Sequence, residues 1–298
     1  MSSYNKDKIR EVAGELAAAF VKNYKCSLEE AGSFFLGSIL KHDEVARLVD
    51  AAVNPKQLSR NAIFKNFVKK SRKELYYQLR KYKNNADDRA ALQSALEAAR
   101  AHPTEEALEL LLQSVADFHV SSEERFEEND VFYDQLHQVL ANAATIVDIG
   151  CGVQPLFFPA ERFANITRYV ALDKDKESVQ LMQDIKAIFP HKYQWLHPDN
   201  WNISEGCGKI CKQHGIETFD VALVLKVVAV VQRTHPELVE ELKNLAAKTL
   251  VVSGVKESMV KKQDIGRRER RLLLNFIESC GRTKLAEFEL KNEFVIIA

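Results

Sequence analysis

Residues 146–154 read IVDIGCGVQ: a short apolar run ends on Asp148, and Gly150 and Gly152 bracket Cys151. A second apolar run, residues 169–172, ends on another acid, Asp173. Glycine reaches backbone angles closed to other residues and leaves bare backbone against which a ligand can lie. A strand, a glycine turn and a second strand tipped by an acid together describe the nucleotide crevice of an open α/β sheet. A GxG pair alone is common in plain strand-to-helix loops. The spacing to Asp173 is what distinguishes this one.

The turn lacks the third glycine of a GxGxxG, and Gln154-Pro155 stands where a dinucleotide fold would continue its helix. That favours S-adenosylmethionine over a nicotinamide cofactor. The former has no pyrophosphate to seat on a helix N-terminus, and needs a close turn and an acid for its ribose. About twenty residues upstream, HVSSEERF supplies Ser121 and Ser122 as N-cap candidates, Glu124 for a capping box, and Arg125, a guanidinium able to grip a carboxylate with two hydrogen bonds. Cys207, Cys211 and His214 in CGKICKQH have C-x3-C-x2-H spacing and no second pair, an incomplete tetrahedral set, so no metal is expected. No local signature marks a nucleophile with its base.

These groups must be positioned by a sheet. From residue 146 the apolar pattern breaks into short runs, predicting strands near 145–149, 168–172, 192–196, 219–225 and 248–253 with helices between them. LAEFELKNEFVIIA predicts a terminal hairpin around Lys291-Asn292. The carboxyl ends of such strands carry the ligand. There the glycine turn, Asp173, a His197-Pro198-Asp199 loop and Lys226 would gather.

Residues 6–118 read as helices alone. Val12, Leu16, Ala19 and Phe20 share a face, followed by Leu28, Phe34, Phe35 and Leu36, then Val45, Leu48 and Val49 before Asn54-Pro55. Two more helices, near 86–101 and 104–117, meet at His102-Pro103, with Thr104 as N-cap. Residues 56–83 hold ten Lys or Arg against one acid, Glu74, a net of +9, with Phe64, Phe67, Tyr76, Tyr77 and Tyr82 interleaved. A solvated helical face with its aromatics in the core is the ordinary reading of such a run. The compensating acids lie elsewhere, at Glu105, Glu106, Glu109 and in residues 123–130, and that segregation favours a surface that tracks phosphates, with Lys65, Lys69, Lys70, Arg72 and Lys73 as its contacts. A second basic stretch, residues 259–271, includes Arg267 and Arg268.

The 298 residues suffice for two domains, expected as a helical domain over 1–118 and a sheet domain over 119–298. Formal charge is zero, so affinity for a polyanion must come from a local patch. Five scattered cysteines fit free thiols in a reducing compartment. The charged N-terminus and the lack of any 18-residue apolar run predict a cytoplasmic protein with no membrane contact.

HVSSEERF, VDIGCGVQPL, YVALDKD, FDVALVLK and NEFVII occur in this order with fitting gaps. Together they resemble the aminoglycoside-resistance methyltransferases that modify guanine N7 in the decoding site of small-subunit 16S rRNA. The resemblance runs from about residue 119 to the C-terminus and more loosely over the helices before it. It implies a Rossmann-like S-adenosylmethionine-dependent methyltransferase sheet with an all-helical N-terminal rRNA-docking domain. The implied enzyme is a monomer whose partner is the small ribosomal subunit, and whose activity brings drug resistance. Carried over by position, Arg125 would hold the methionine carboxylate, Asp148, Gly150 and Gly152 would line the ligand, Asp173 would take the ribose, and Asp199 would neighbour the adenine. Lys226 would sit near the methyl-transfer end as the catalytic residue. Two stretches depart from the family pattern: Val227-Val228-Ala229 where a proline usually follows the lysine, and residues 253–259 where SFP, a basic residue and SL are usual. Three other readings compete: a different RNA methyltransferase of the same build, a small-molecule methyltransferase with a helical lid, and a non-catalytic, ligand-sensing RNA-binding protein.

Overall fold

The computed structural model describes residues 4–24, 26–52, 55–78, 86–119, 128–257 and 264–298. Packing divides the chain into two compact units, 1–81 with 257–264, and 82–256 with 265–298.

The first unit is helical. Its described helices are α1 (Lys6–Val21), α2 (Leu28–Lys41), α3 (Asp43–Ala51), α4 (Pro55–Arg60) and α5 (Ala62–Gln78). Asn5 caps α1 by accepting from the N–H groups of Asp7 and Lys8, and Ser27 caps α2 by accepting from Glu30. The buried stripe of α1 is Ile9, Val12, Ala13, Ala17 and Phe20, so Ala19, expected on that face, points to solvent. Leu28, expected in the core, is likewise exposed, because it opens α2 one residue after the cap. Phe35, Val45 and Val49 are buried as expected. On α5 the spacing decides everything: Phe64, Phe67, Ser71 and Leu75 form one buried stripe, while Lys65, Lys69, Lys70, Arg72 and Lys73 cover the exposed remainder.

The second unit holds a seven-stranded sheet: β1 (Thr145–Ile149), β2 (Arg168–Asp173), β3 (Leu196–Asn200), β4 (Phe219–Leu225), β5 (Ala247–Val255), β6 (Ala286–Glu289) and β7 (Glu293–Ile297). Their order is β3-β2-β1-β4-β5-β7-β6. Strands β1 to β5 pair in parallel, and β7 inserts antiparallel between β5 and β6. This is the α/β, Rossmann-like sheet the sequence implied. Central strands are buried almost throughout, as helices on both faces require.

Helices α6 (Ala86–Ala101) and α7 (Glu105–Phe118) form a hairpin joined at Thr104, whose hydroxyl accepts from the Ala107 N–H at 3.2 Å. Leu92, Leu96, Ala99, Leu108, Leu111, Val115 and Phe118 share a core with Ile146, Tyr169 and Leu196. The helical stretch expected to run as one domain to 118 is therefore divided by packing at about 81. The hairpin is held by the sheet's own apolar face. Short helix α8 (Asn129–Gln135) follows, then α9 (Lys176–Ile188), α10 (Val227–Thr234) and α11 (Gly266–Ser279).

The third strand lies four residues later than expected. Residues 192–196 lead into it, with Tyr193 and Trp195 buried in the core, and the strand itself is His197, Pro198, Asp199 and Asn200 after Leu196. The expected His197-Pro198-Asp199 loop is thus strand. A polar edge strand carrying proline has no apolar alternation to betray it, and proline is tolerated where no outer neighbour needs its N–H.

Candidate active site

Strand order reverses at β1, whose two neighbours are β2 and β4. The carboxyl ends of these strands therefore frame a crevice. The turn after β1 is built by two left-handed glycines, Gly150 at φ 67° and Gly152 at φ 56°. A Cβ on Gly150 would lie 2.7 Å from Val227 Cγ2, whereas one on Gly152 would meet nothing within 4 Å. Gly150 is thus required twice over, by conformation and by the approach of α10. Gly152 leaves open space above it.

Three successive N–H groups of this turn point at the end of β2. Those of Gly150 and Cys151 donate to the Leu172 carbonyl at 2.7 and 3.3 Å, and that of Gly152 donates to Asp173 Oδ2 at 2.7 Å. Asp173 Oδ1 accepts from the Asp175 N–H at 2.8 Å. The Asp173 carbonyl accepts from the Trp201 N–H and from Asn200 Nδ2, both at 3.0 Å. The two sequence signals, glycine turn and distant acid, are joined by a hydrogen bond.

Asp148 lies beneath the turn. It is 1% exposed, and its Oδ2 accepts from the Tyr169 hydroxyl at 2.9 Å, tying β1 to β2. Burial and the Asp148 charge hold the Tyr169 phenol well above its ordinary range, so it stays a donor. Burial first, then the charges of Asp148 and Asp173, also push the Cys151 thiol well up. That keeps it protonated at neutral pH and a poor nucleophile. Beyond the turn, Gln154 Nε2 donates to Asn129 Oδ1 at 2.9 Å, and Asn129 Nδ2 donates to the Phe157 carbonyl at 2.8 Å. Short 3-10 turns at Gln154–Phe157 and Ala160–Arg162 replace the long helix of a dinucleotide fold.

Across the crevice, Lys226 follows β4 with φ 61°, the non-glycine residue with positive φ among the described residues. The left-handed region costs an ordinary residue roughly 1–2 kcal/mol, and such strain collects at functional sites. Its N–H donates to both the carbonyl and the hydroxyl oxygen of Ser253, each at 3.1 Å. Its Nζ is 3.9 Å from Glu293 Oε2. Sequence reading missed Tyr169, Ser253 and Glu293. An acid opening the apolar run EFVII was the available signal for Glu293.

Asp199 is set apart from this group. It stands on the β3 edge, 3.9 Å from His214 Nε2, beside a cavity of about 550 Å³ lined also by Gln183, Lys186, His197 and Pro198. Burial lowers the affinity of both His197 and His214 for a proton, and nearby Arg168 adds to that effect. Arg125 lies outside the described residues, as do Arg80, Lys81, Tyr82, Lys83 and residues 259–263. Arg267 and Arg268 are exposed at the start of α11, and Arg268 Nη2 lies 3.7 Å from buried Glu269. Lys65, Lys69, Lys70 and Arg72 have no ion-pair partner among the described residues, while Lys73 is engaged.

A family model described as ribosomal RNA methyltransferase (FmrO) matches residues 42–267. The chain belongs to this family. A 16S rRNA (guanine(1405)-N(7))-methyltransferase of Micromonospora olivasterospora is 26% identical over 136 residues, 46% of this chain and 41% of that relative. The alignment thus spans less than half of the relative's length. Among solved structures, the 16S rRNA methyltransferase RmtF in complex with S-adenosyl-L-homocysteine matches with a TM-score of 0.54 and 19% identity, covering 80% of this chain and 85% of that one. The 16S rRNA methylase ArmA matches with a TM-score of 0.50 and 20% identity, over 69% of this chain and 96% of its own. At these identities the likeness to RmtF and ArmA establishes the fold, and the FmrO family match establishes the kinship.

Proposed function

We propose that this protein transfers a methyl group from S-adenosylmethionine to N7 of a guanine in the decoding site of 16S rRNA. The observation that carries the reading is the glycine turn closed on Asp173 within a member of the FmrO family. A carboxylate offers about four lone-pair sites, and the N–H groups of Gly152 and Asp175 occupy one on each Asp173 oxygen. The remainder suit a ribose diol. The open space over Gly152 suits a ligand lying on bare backbone. Arg125 is assigned to the methionine carboxylate by resemblance. Asp148 acts from below by bracing the turn through Tyr169. Asp199 is assigned to the adenine side by resemblance.

S-adenosylmethionine supplies a methyl group already activated on a sulfonium. Guanine N7 carries an in-plane lone pair and no proton, so direct displacement needs alignment and charge placement rather than a general base. Such a step asks no base of the site, and Cys151 is held protonated. Lys226 is the cation at the transfer end. A paired guanine must leave its stack to reach it. The exposed bases of α5, with Arg267 and Arg268, are assigned to the RNA backbone, and the helices of the first unit to docking. The enzyme is taken to act as a cytoplasmic monomer. Among the described residues no helix is long and apolar enough to cross a membrane. Methylation at N7 removes a major-groove acceptor and adds a fixed positive charge, which would oppose binding of a cationic aminoglycoside.

The test uses the lability that N7 methylation confers. Small subunits, naked rRNA and small-molecule extracts are incubated with labelled S-adenosylmethionine, and labelled rRNA is treated with borohydride and aniline. Scission at a single guanine is expected, stronger from assembled subunits if folded shape is read. Methylation at a base carbon, an exocyclic nitrogen or a ribose hydroxyl rejects the N7 claim. Label confined to a small molecule rejects the RNA substrate.

A further inference from the structure

Three contacts close a ring around Lys226. Its N–H donates to Ser253 Oγ at 3.1 Å, and that hydroxyl donates to Glu293 Oε2 at 3.0 Å. The same carboxylate oxygen lies 3.9 Å from Lys226 Nζ. The side chain of Lys226 itself completes the circuit. Ser253 is fully buried and Glu293 is 3% exposed, whereas the Lys226 side chain keeps 22% of its surface in solvent. The members come from three neighbouring positions in the sheet: the residue after β4, the interior of β5, and the first residue of β7. Because β7 runs antiparallel, Glu293 enters at the same edge where β4 and β5 end.

A buried carboxylate demands a fixed partner, and here it takes a hydroxyl and an ammonium on one oxygen. The ammonium is the member that reaches outward. Val227, the next residue, packs against Gly150 of the ligand turn. The ring therefore fixes the position of a cation beside the crevice, and does so from residues far from the glycine turn in the sequence.

We propose that Glu293, together with Ser253, is a positioning residue that holds the Lys226 ammonium at the mouth of the crevice, where it meets a phosphate next to the target nucleotide. The phosphate assignment rests on the RNA-methylation reading above; the anchoring of Lys226 does not. A point cation on a flexible stem loses rotamer freedom when it grips an anion, and an anchor that removes this freedom beforehand strengthens the grip. Glu293→Gln keeps the shape and the acceptor for Ser253 but deletes the carboxylate charge 3.9 Å from Lys226 Nζ.

Two measurements on the full chain test this, with melting temperatures confirming that each variant is folded and Ser253→Ala as the second route into the ring. In the first, brief treatment with an amine-acylating reagent is read by peptide mass spectrometry. Lys226 should acylate several-fold faster in Glu293→Gln than in wild type, and unchanged labelling in both variants overturns the anchor. In the second, kcat/KM for small subunits should fall about tenfold in Glu293→Gln, the size of one lost charged contact. S-adenosylhomocysteine affinity should hold. The loss should be no greater in the Glu293→Gln/Lys226→Gln pair than in Lys226→Gln alone. A fall in S-adenosylhomocysteine affinity with unchanged kcat/KM overturns the phosphate assignment. Faster Lys226 labelling in a protein that methylates no RNA upholds the anchor and rejects the functional reading instead.

Discussion

Alanine at Gly150 and alanine at Gly152 should have very different consequences, although both glycines are left-handed and stand two residues apart. Each substitution forces a Cβ into the left-handed region, at about 1–2 kcal/mol. At Gly152 the new methyl group has open space within 4 Å, so little else is added. At Gly150 it would lie 2.7 Å from Val227 Cγ2, well inside the roughly 3.5–4.0 Å of carbon contact. Val227 opens α10, and a β-branched side chain in a helix is stiff about χ1. It cannot turn aside cheaply, and overpacking of this kind costs about 1–3 kcal/mol. Gly150→Ala should thus lose roughly 2–5 kcal/mol, and Gly152→Ala about 1–2. Both tryptophans, Trp195 and Trp201, lie in the sheet unit, so urea unfolding followed by their fluorescence reports on that unit alone. Adding Val227→Ala to Gly150→Ala should recover part of the extra loss. The order should invert for the ligand: Gly152→Ala, the gentler change, should weaken S-adenosylhomocysteine binding because its methyl occupies the space assigned to that ligand. Equal stability of the two variants, or no recovery in the double variant, would refute the steric argument.

Asp173→Ala should lower S-adenosylhomocysteine affinity at least tenfold by calorimetry, since a hydrogen bond to a charged group is worth roughly 1.5–3 kcal/mol; equal affinity would remove Asp173 from the site. Replacing Lys69, Lys70, Arg72 and Lys73 with Gln should weaken RNA binding and flatten its salt dependence by about 0.7–0.9 per lost phosphate contact. Survival of the slope would leave α5 merely a solvated face. Arg233 Nη1 lies 2.9 Å from Glu269, which is 2% exposed. Arg233→Ala should therefore destabilise more than Glu269→Gln in chemical denaturation, because it leaves the buried carboxylate with only the more distant Arg268, 3.7 Å away, as its ion-pair cation among the described residues, while the reverse change frees a half-exposed guanidinium. Asp220 is held down to about 2: burial acts to raise it, but the Lys248 ammonium and the N–H groups of Ala144 and Thr145 outweigh that. The stability it adds is full above its ordinary 3.8 and disappears as pH falls toward about 2. The stability gap between wild type and Asp220→Asn should close over that window, and a gap that persists unchanged below it would contradict the assignment.

What the sequence disclosed and what it concealed follow from how far each interaction reaches along the chain. The glycine turn was legible because its demand is local: positive φ at Gly150 and Gly152 needs glycine whatever surrounds it. Asp173 was legible through a family of folds that repeats its spacing, and the Gly152 N–H bond supplies the physical reason for that spacing. Helical periodicity accounts for Phe64 and Phe67 on the inner face of α5 and its lysines outside. It could not say which core a helix joins, and for this reason α6 and α7 read as a continuation of the N-terminal helices while their leucines pack with Ile146 and Tyr169. Strand β3 failed for the opposite reason: an edge strand of His197, Pro198, Asp199 and Asn200 has no buried alternation to detect, and the apolar Tyr193 and Trp195 drew the prediction toward the core residues before it. The ring of Lys226, Ser253 and Glu293 was the hardest to see, since its members stand 27 and 40 residues apart and meet only because β7 inserts antiparallel beside β5. That insertion brings a buried acid to an edge where parallel connections alone would end in carbonyls and loops. A site assembled this way separates its tasks: the local turn seats a ligand, and the long-range ring fixes the charge opposite it. Substitutions in the ring can then alter the handling of substrate while the turn keeps its grip.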